Sequence, residues 1–414
     1  MIYRGRYLIT MDGAPIPWGC IQIFGDKILQ VGPLDSLERA PDEGLQDFPD
    51  AILMPGLINA HCHLELGMVR GQLPRGESFP IWVSRLRKAL EGLEAENYRQ
   101  AARLGALECL KNGTTTIIDV GNTGESIFEL AKLPIRSFPY LELVGLNPEM
   151  APEKIRQAQA RLNSLPKSTH LLNPGLTCHA PYSCSVELMR EAAKGRDSGP
   201  ISNPNHNQGP YTLHVAESVE ESRMFLEGRG TLLEFCRRIF PDYLWKNSES
   251  PIKYLQRHGL IPKGALFAHC NHLTEEDIGI LSEKEISVVH CPRSKAFFNH
   301  EGFSLDSLRV AGINLCLGTD SLASNEGLSL FDEMAELHRN YPSLPCYDIL
   351  AMATLNGARA LKQESNLGCL KPGAKADFIA LSLHHHPEYD IYEEIVSEAH
   401  AVLMVCIAGE EIIS

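Results

Sequence analysis

Apolar positions along the chain recur in two rhythms. From Tyr3 to Met54 they come in short β-type runs, Arg6–Met11, Gly19–Phe24 and Lys27–Val31, broken by turn pairs at Asp12-Gly13 and Gly25-Asp26. The C-terminal stretch repeats this rhythm in Phe378–Leu383 and Ala401–Ala408. Between the two ends, strand-type runs alternate with helical patterns, which predicts a parallel sheet. In Asn97–Asn112, Ala101, Leu104, Leu107 and Leu110 share one helical face, and Gly113 stands where the helix should stop. Thr114–Val120 and Arg136–Val144 follow as strands. The stretch Ser218–Gly264 exceeds a simple βα connection and carries the aromatic run Phe240 to Trp245, so it is either a lid or an excursion with its own small core. Ser198–Pro210, rich in Asn, Pro and Gly, reads as a flexible loop.

Five of the apolar runs end in residues with metal or proton-transfer chemistry. Ile52–Leu57 leads to His61-Cys62-His63, Leu176–Cys178 to His179, and Tyr211–Leu213 to His214 with Glu217 three residues on. Ala265–Ala268 leads to His269, and Ile313–Leu317 to Gly318-Thr319-Asp320. Polar groups gathered at strand C-termini are the signature of a (β/α)8 barrel of TIM type. Side chains alternate faces along a strand, so His61 and His63 point the same way and Cys62 points away from them. His214 and Asp320 complete a set of nitrogen ligands plus one carboxylate. Such a set suits one divalent ion, zinc first and iron(II) or manganese(II) next, with a position open to water.

At this point the chain resembles the amidohydrolase superfamily, in its cytosine deaminase and chlorohydrolase-like branch. The matching text is Met54 to Leu64, Gly113 to Thr116, His179 to Tyr182, His214 to Glu217, Ala268 to Cys270, Gly318 to Asp320, Asn356 to Arg359 and Gly368 to Asp377. The resemblance implies a small β-sandwich built from both termini, residues 1–54 and 372–414, flanking a metal-dependent catalytic barrel of residues 55–371. It implies that Asp320 is both ligand and general base, that Glu217 protonates a ring nitrogen, and that His269 polarises the attacking water. His179 would face the substrate, and Ser324 matches a substrate-contacting serine. Binuclear relatives carry a carboxylated lysine at strand four; no lysine occurs between Ser168 and Leu188, which favours one metal. His290 ends strand seven, but Lys295 replaces the asparagine usual after it.

Glu65, just past the first ligands, and the Phe79-Pro-Ile-Trp82 loop are similar to aminodeoxyfutalosine deaminases of an alternative menaquinone route. That likeness implies an adenine-type nucleoside as substrate, with Glu65 on a sugar hydroxyl and Trp82 over the base or tail. S-adenosylhomocysteine or methylthioadenosine deamination, guanine or cytosine deamination, other hydrolysis in the family, and a non-catalytic scaffold are the alternatives.

Composition narrows the class without choosing the substrate. A chain of 414 residues is long enough for a barrel plus a small module, and 44% hydrophobic content excludes disorder. A net charge of −14 argues against a nucleic-acid partner. There is no signal-peptide core at the N-terminus, and Ala401–Ala408 is too short to cross a bilayer, so the expectation is a cytoplasmic enzyme, with a homo-oligomer left open. Its 12 cysteines are then expected to be reduced. His384 to His386 read as a solvated face.

Overall fold

The structure is a computed structural model that describes residues 1–38, 40, 42–198, 209–243, 245, 248–383, 390–397 and 400–413. His384 to His386 and most of the Ser198–Pro210 loop lie outside the described residues.

Eight short parallel strands form the centre, each buried along almost its whole length. They are β1 (Leu57–Cys62), β2 (Thr114–Gly121), β3 (Arg136–Leu143), β4 (Gly175–Cys178), β5 (Thr212–Val215), β6 (Leu266–His269), β7 (Ser287–His290) and β8 (Asn314–Leu317). Hydrogen bonding groups them as two four-stranded sheets, β1 to β4 and β5 to β8. The sheets meet at both seams. His214 N donates to His179 O at 2.9 Å on one side, and Asp320 N donates to His61 O at 3.1 Å on the other. Helices occupy most of the connections.

The expected first strand divides in two. Residues 52–55 close an outer strand, Leu45–Pro55, and the ligand-bearing strand starts only at Leu57. The helix Ala95–Lys111 forms as predicted but buries a different face. Ala101, Ala102, Gly105, Ala106, Cys109 and Leu110 are inside, while Leu104 is 58% exposed. Small residues win that face because a Cβ on Gly105 would lie 3.0 Å from the Leu64 side chain, so the helix sits close against the segment after β1.

Both termini contribute to one mixed eight-stranded sheet. Leu45–Pro55 runs parallel to Ile2–Leu8 and antiparallel to Phe378–Ser382, which joins the two ends of the chain. Strand alternation then divides its side chains between two cores. Ile52, Met54, Ile379 and Leu381 pack into the main core, whereas Leu53, Phe378 and Ala380 share a second core with Ile21 and Ile23. A buried fork fixes this sheet to the centre: Arg136 at the start of β3 donates from Nε and Nη2 to Asp377, at 2.8 and 3.1 Å. Leaving one member of such a pair alone in the interior costs about 3 to 5 kcal/mol.

In Ser218–Gly264, Phe225, Trp245 and Tyr254 pack on one another, with ring centroids 4.3 to 5.3 Å apart, as part of the main core and not as a separate one. Phe235, Ile239 and Phe240 of the same segment face a cavity over the strand ends.

Candidate active site

The C-terminal ends of the strands hold a cluster of buried imidazoles. His61 lies 4.8 Å from His63 and from His214, centroid to centroid, and 5.6 Å from His269. Two of these rings have their tautomer set by the backbone. His63 Nδ1 donates to Val120 O at 2.8 Å and His214 Nδ1 to His179 O at 3.0 Å, so each keeps a lone pair on Nε2. Those two Nε2 atoms face each other at 3.0 Å with no proton to share. Neither ring nitrogen of His61, 1% exposed, has a hydrogen-bond partner among the described residues. Lone pairs converging without donors fit a bound cation, and outer-sphere carbonyls orienting the rings are its usual support.

Asp320 supplies the carboxylate. Ser294 Oγ and Ser324 Oγ donate to its Oδ2 at 2.5 and 3.0 Å, which leaves Oδ1 turned toward His63 Nε2 at 3.8 Å. Ligand atoms of His61, His63 and Asp320 lie within 4.8 Å of one another, as do those of His61, His214 and His269. The motif residues around Asp320 have packing reasons. A Cβ on Gly318 would sit 2.7 Å from His61 O, so only glycine lets β8 close on β1. Asn59 and Thr319 exchange hydrogen bonds of 2.8 and 3.2 Å across the same seam.

The second half of the cluster rests on strained backbone. Ala216, His269, Cys270 and Asp320 have φ of 52°, 70°, 50° and 55°. Non-glycine residues in that region are uncommon and concentrate at functional sites. The turn at Ala216 brings Glu217 back over the strand ends, where Oε1 stands 3.8 Å from His269 Nε2.

Burial separates the two carboxyl groups of the site. It pushes Glu217 well above the ordinary carboxyl range, with Asp320 and Glu221 adding to the effect. It pushes Asp320 up too, but the rings of His269, His63 and His61 and the Ser294 hydroxyl outweigh it and hold that group at about 2. Burial lowers His269 to about 4 and His179 to about 3. Paired groups driven apart in this way take opposite acid and base roles.

A cavity of about 850 Å³ opens over this floor, lined by His63, His179, His214, Glu217, His269 and Asp320. Its walls are largely apolar: Phe79, Trp82, Tyr182 and Phe298 line it beside aliphatic side chains such as Leu86, Leu90 and Leu143, with Trp82 edge-on to Phe298 at 4.9 Å. His179 Nδ1 pairs with Ser183 Oγ at 2.7 Å, and its ring sits 4.7 Å from His214. Cys62 points out of the site, toward Ile118 O at 3.6 Å.

Two expected substrate contacts are placed elsewhere. Glu65 does not line the cavity; its carboxylate accepts from Thr123 N, Thr123 Oγ1 and Ser126 N at 3.1, 2.8 and 3.1 Å and so ties down the loop after β2. Ser324 donates to Asp320 Oδ2 and does not line the cavity. His290 stacks on Phe303 at 3.7 Å, also away from the cavity. Sequence reasoning gave no role to Ser294, Tyr182 and Glu142. Tyr182 ends the His179 to Tyr182 motif, and Glu142 had a signal of its own, a carboxylate at the C-terminal end of the otherwise mostly apolar β3.

The amidohydrolase family profile matches residues 52–412. A 5-methylthioadenosine/S-adenosylhomocysteine deaminase of Desulfitobacterium hafniense is 29% identical over 402 residues, covering 93% of this chain and 86% of its own length. Two solved structures superpose over 100% of the chain. Helicobacter pylori aminofutalosine deaminase in complex with methylthio-coformycin does so with a TM-score of 0.83, 21% identity and all of its own chain covered. An adenosine deaminase from Xanthomonas campestris with bound zinc gives 0.81, 22% identity and 92% of its chain. The profile spans the site and the C-terminal strands of the terminal sheet, and the chain belongs to the amidohydrolase family.

Proposed function

We propose that this protein is a metal-dependent hydrolytic deaminase of an adenine-type nucleoside, with aminodeoxyfutalosine the favoured substrate. Family membership makes it a hydrolase acting on carbon–nitrogen bonds other than peptide bonds. The observation that carries the reading is the pairing of Glu217 with His269, set beside lone pairs of His61, His63 and His214 and the free oxygen of Asp320. The named activities of the relatives support the nucleoside class. The closed eight-stranded barrel and the division at residues 55 and 371 belong to the same proposal, supported by hydrogen bonds across both seams.

His61, His63, His214 and Asp320 would hold one divalent ion, zinc by donor type. When bound there, such an ion supplies Lewis acidity and a water acidic enough to attack at neutral pH. The chain does the rest. Asp320 Oδ1, with its partner oxygen fixed by two serines, takes the proton of the attacking water. Glu217, held protonated by burial, gives its proton to the ring nitrogen next to the amino-bearing carbon. His269 stands beside Glu217 to steady the developing oxyanion, and His179 faces the base. Asp320 then gives the proton it took to the amine, which leaves as ammonia, while the proton of the new hydroxyl returns to Glu217 as the ring keeps C=O, so one water is consumed per turnover. The apolar walls suit the faces of the base, and the cavity leaves room for a nucleoside with a large substituent.

Methylthioadenosine or S-adenosylhomocysteine deamination is the second reading, favoured by the named activity of the sequence relatives. Ammonia release from aminodeoxyfutalosine, methylthioadenosine, S-adenosylhomocysteine, adenosine, guanine and cytosine separates the two. The highest kcat/KM should fall on aminodeoxyfutalosine; preference for guanine or cytosine would overturn the nucleoside reading altogether.

A further inference from the structure

Glu142 stands at the end of β3, 4% exposed, in the wall of the cavity. Asn122 Nδ2 donates to its Oε2 at 2.9 Å. Oε1 accepts no hydrogen bond from any described residue. The nearest ring nitrogen, His214 Nδ1 at 3.5 Å, already gives its proton to His179 O at 3.0 Å. A buried carboxylate oxygen with no donor is costly, on the order of 1 to 3 kcal/mol or more, so a wall that keeps one implies a donor arriving with the ligand.

Its position says which part of the ligand that is. Glu142 lies on the Nδ1 side of the His214 ring, whereas the proposed metal-facing nitrogen is Nε2 on the opposite side. Glu217, His269 and Asp320, which serve the reacting carbon, are absent from its contacts; His179 and His214 are its neighbours. The donor that Glu142 meets is therefore not the reacting amino group. The remaining donors of an adenine nucleoside are its sugar hydroxyls, and a carboxylate is a recurrent partner for ribose hydroxyls. Glu65, the carboxylate that sequence analysis put on the sugar, already spends both oxygens on Thr123 and Ser126.

Resting on the nucleoside reading above, we propose that Glu142 Oε1 accepts a hydrogen bond from a ribosyl hydroxyl, with Asn122 holding the carboxylate in place. Glu142 is in this account a substrate-binding residue that selects ribosyl over deoxyribosyl substrates and free base.

The test compares adenosine, 2′-deoxyadenosine, 3′-deoxyadenosine and adenine, as substrates or, where turnover is slow, as competitive inhibitors of aminodeoxyfutalosine deamination. Wild-type enzyme should lose about threefold to tenfold when the recognised hydroxyl is removed, the range for an ordinary intramolecular hydrogen bond. Glu142→Gln should lose a similar factor on the ribosyl compound, and far less on the matching deoxy analogue and on adenine, with metal content unchanged. Wild-type enzyme that treats ribosyl and both deoxy compounds alike would overturn the proposal without recourse to any variant. Equal losses on all four compounds in Glu142→Gln, or loss of metal, would overturn it by making Glu142 a support of His214. Absence of ammonia release from every ribosyl compound is a different failure, since it removes the nucleoside reading and this proposal with it.

Discussion

The segments after β1 and β5 each carry a glutamate two or three residues beyond a site histidine, and the two carboxylates meet opposite fates. After His63 the chain enters a 3-10 turn, Leu64–Val69, and Glu65 is drawn sideways into three hydrogen bonds with the loop after β2. After His214 the backbone reverses at Ala216, with φ of 52°, and Glu217 returns over the strand ends, where its Oε1 stands 3.8 Å from His269 Nε2. One carboxylate is held by three donors of a neighbouring loop, and the other faces His269 and the cavity. What separates them is the backbone conformation of a single preceding residue and the presence of donors in the neighbouring loop, not distance from a ligand along the chain.

The largest expected effect lies on the Glu217 side. Glu217→Gln keeps shape and removes the acid, so kcat should fall roughly a hundredfold or more while bound metal stays constant. Steady-state kinetics with elemental analysis checks this; near-normal turnover would place Glu217 with Glu65 as a structural group. The same substitution has a signature in stability. The folded-state pKa of Glu217 is raised above that of the unfolded chain, so its contribution is fully present at low pH and is lost as pH rises through the folded value. Thermal melts should show Glu217→Gln gaining on wild type as pH increases.

On the Glu65 side the expected loss is in stability. Glu65→Gln leaves two backbone N–H groups of the loop after β2 facing an amide, and about 1 to 3 kcal/mol of unfolding free energy should disappear. Denaturant unfolding measures it, and metal content and the relative rates on ribosyl and deoxyribosyl substrates should stay as they were. A selective loss on ribosyl substrates would return Glu65 to the sugar.

A smaller effect is expected at Ser324, which shares Asp320 Oδ2 with Ser294. With the 2.5 Å partner retained, Ser324→Ala should cost about 0.5 to 1.5 kcal/mol of stability and only a few-fold in kcat. A change in KM without change in kcat would instead indicate direct contact with substrate.

How much of this could be read from the chain depends on what kind of information each residue carries. His61, His63, His214, Glu217, His269 and Asp320 were legible because a strand end followed by a metal-binding or acidic residue is a local pattern, and all six converge. Glu142 and Ser294 come from strands and helices remote from those motifs, and their roles exist only through partners brought together by the fold. The turns at Ala216 and Asp320 were not legible either, since glycine would announce a positive φ and alanine or aspartate does not. The buried face of Ala95–Lys111 was misread because periodicity located large residues, while close packing against Leu64 demanded small ones.

The central claim is that four side chains drawn from three strand ends form one metal site. Elemental analysis of protein purified without chelator tests it most directly. The account predicts one equivalent of a divalent ion, zinc foremost, in wild type, and its loss in a folded His61→Ala variant. Two tightly bound equivalents, or full retention of metal without His61, would contradict it.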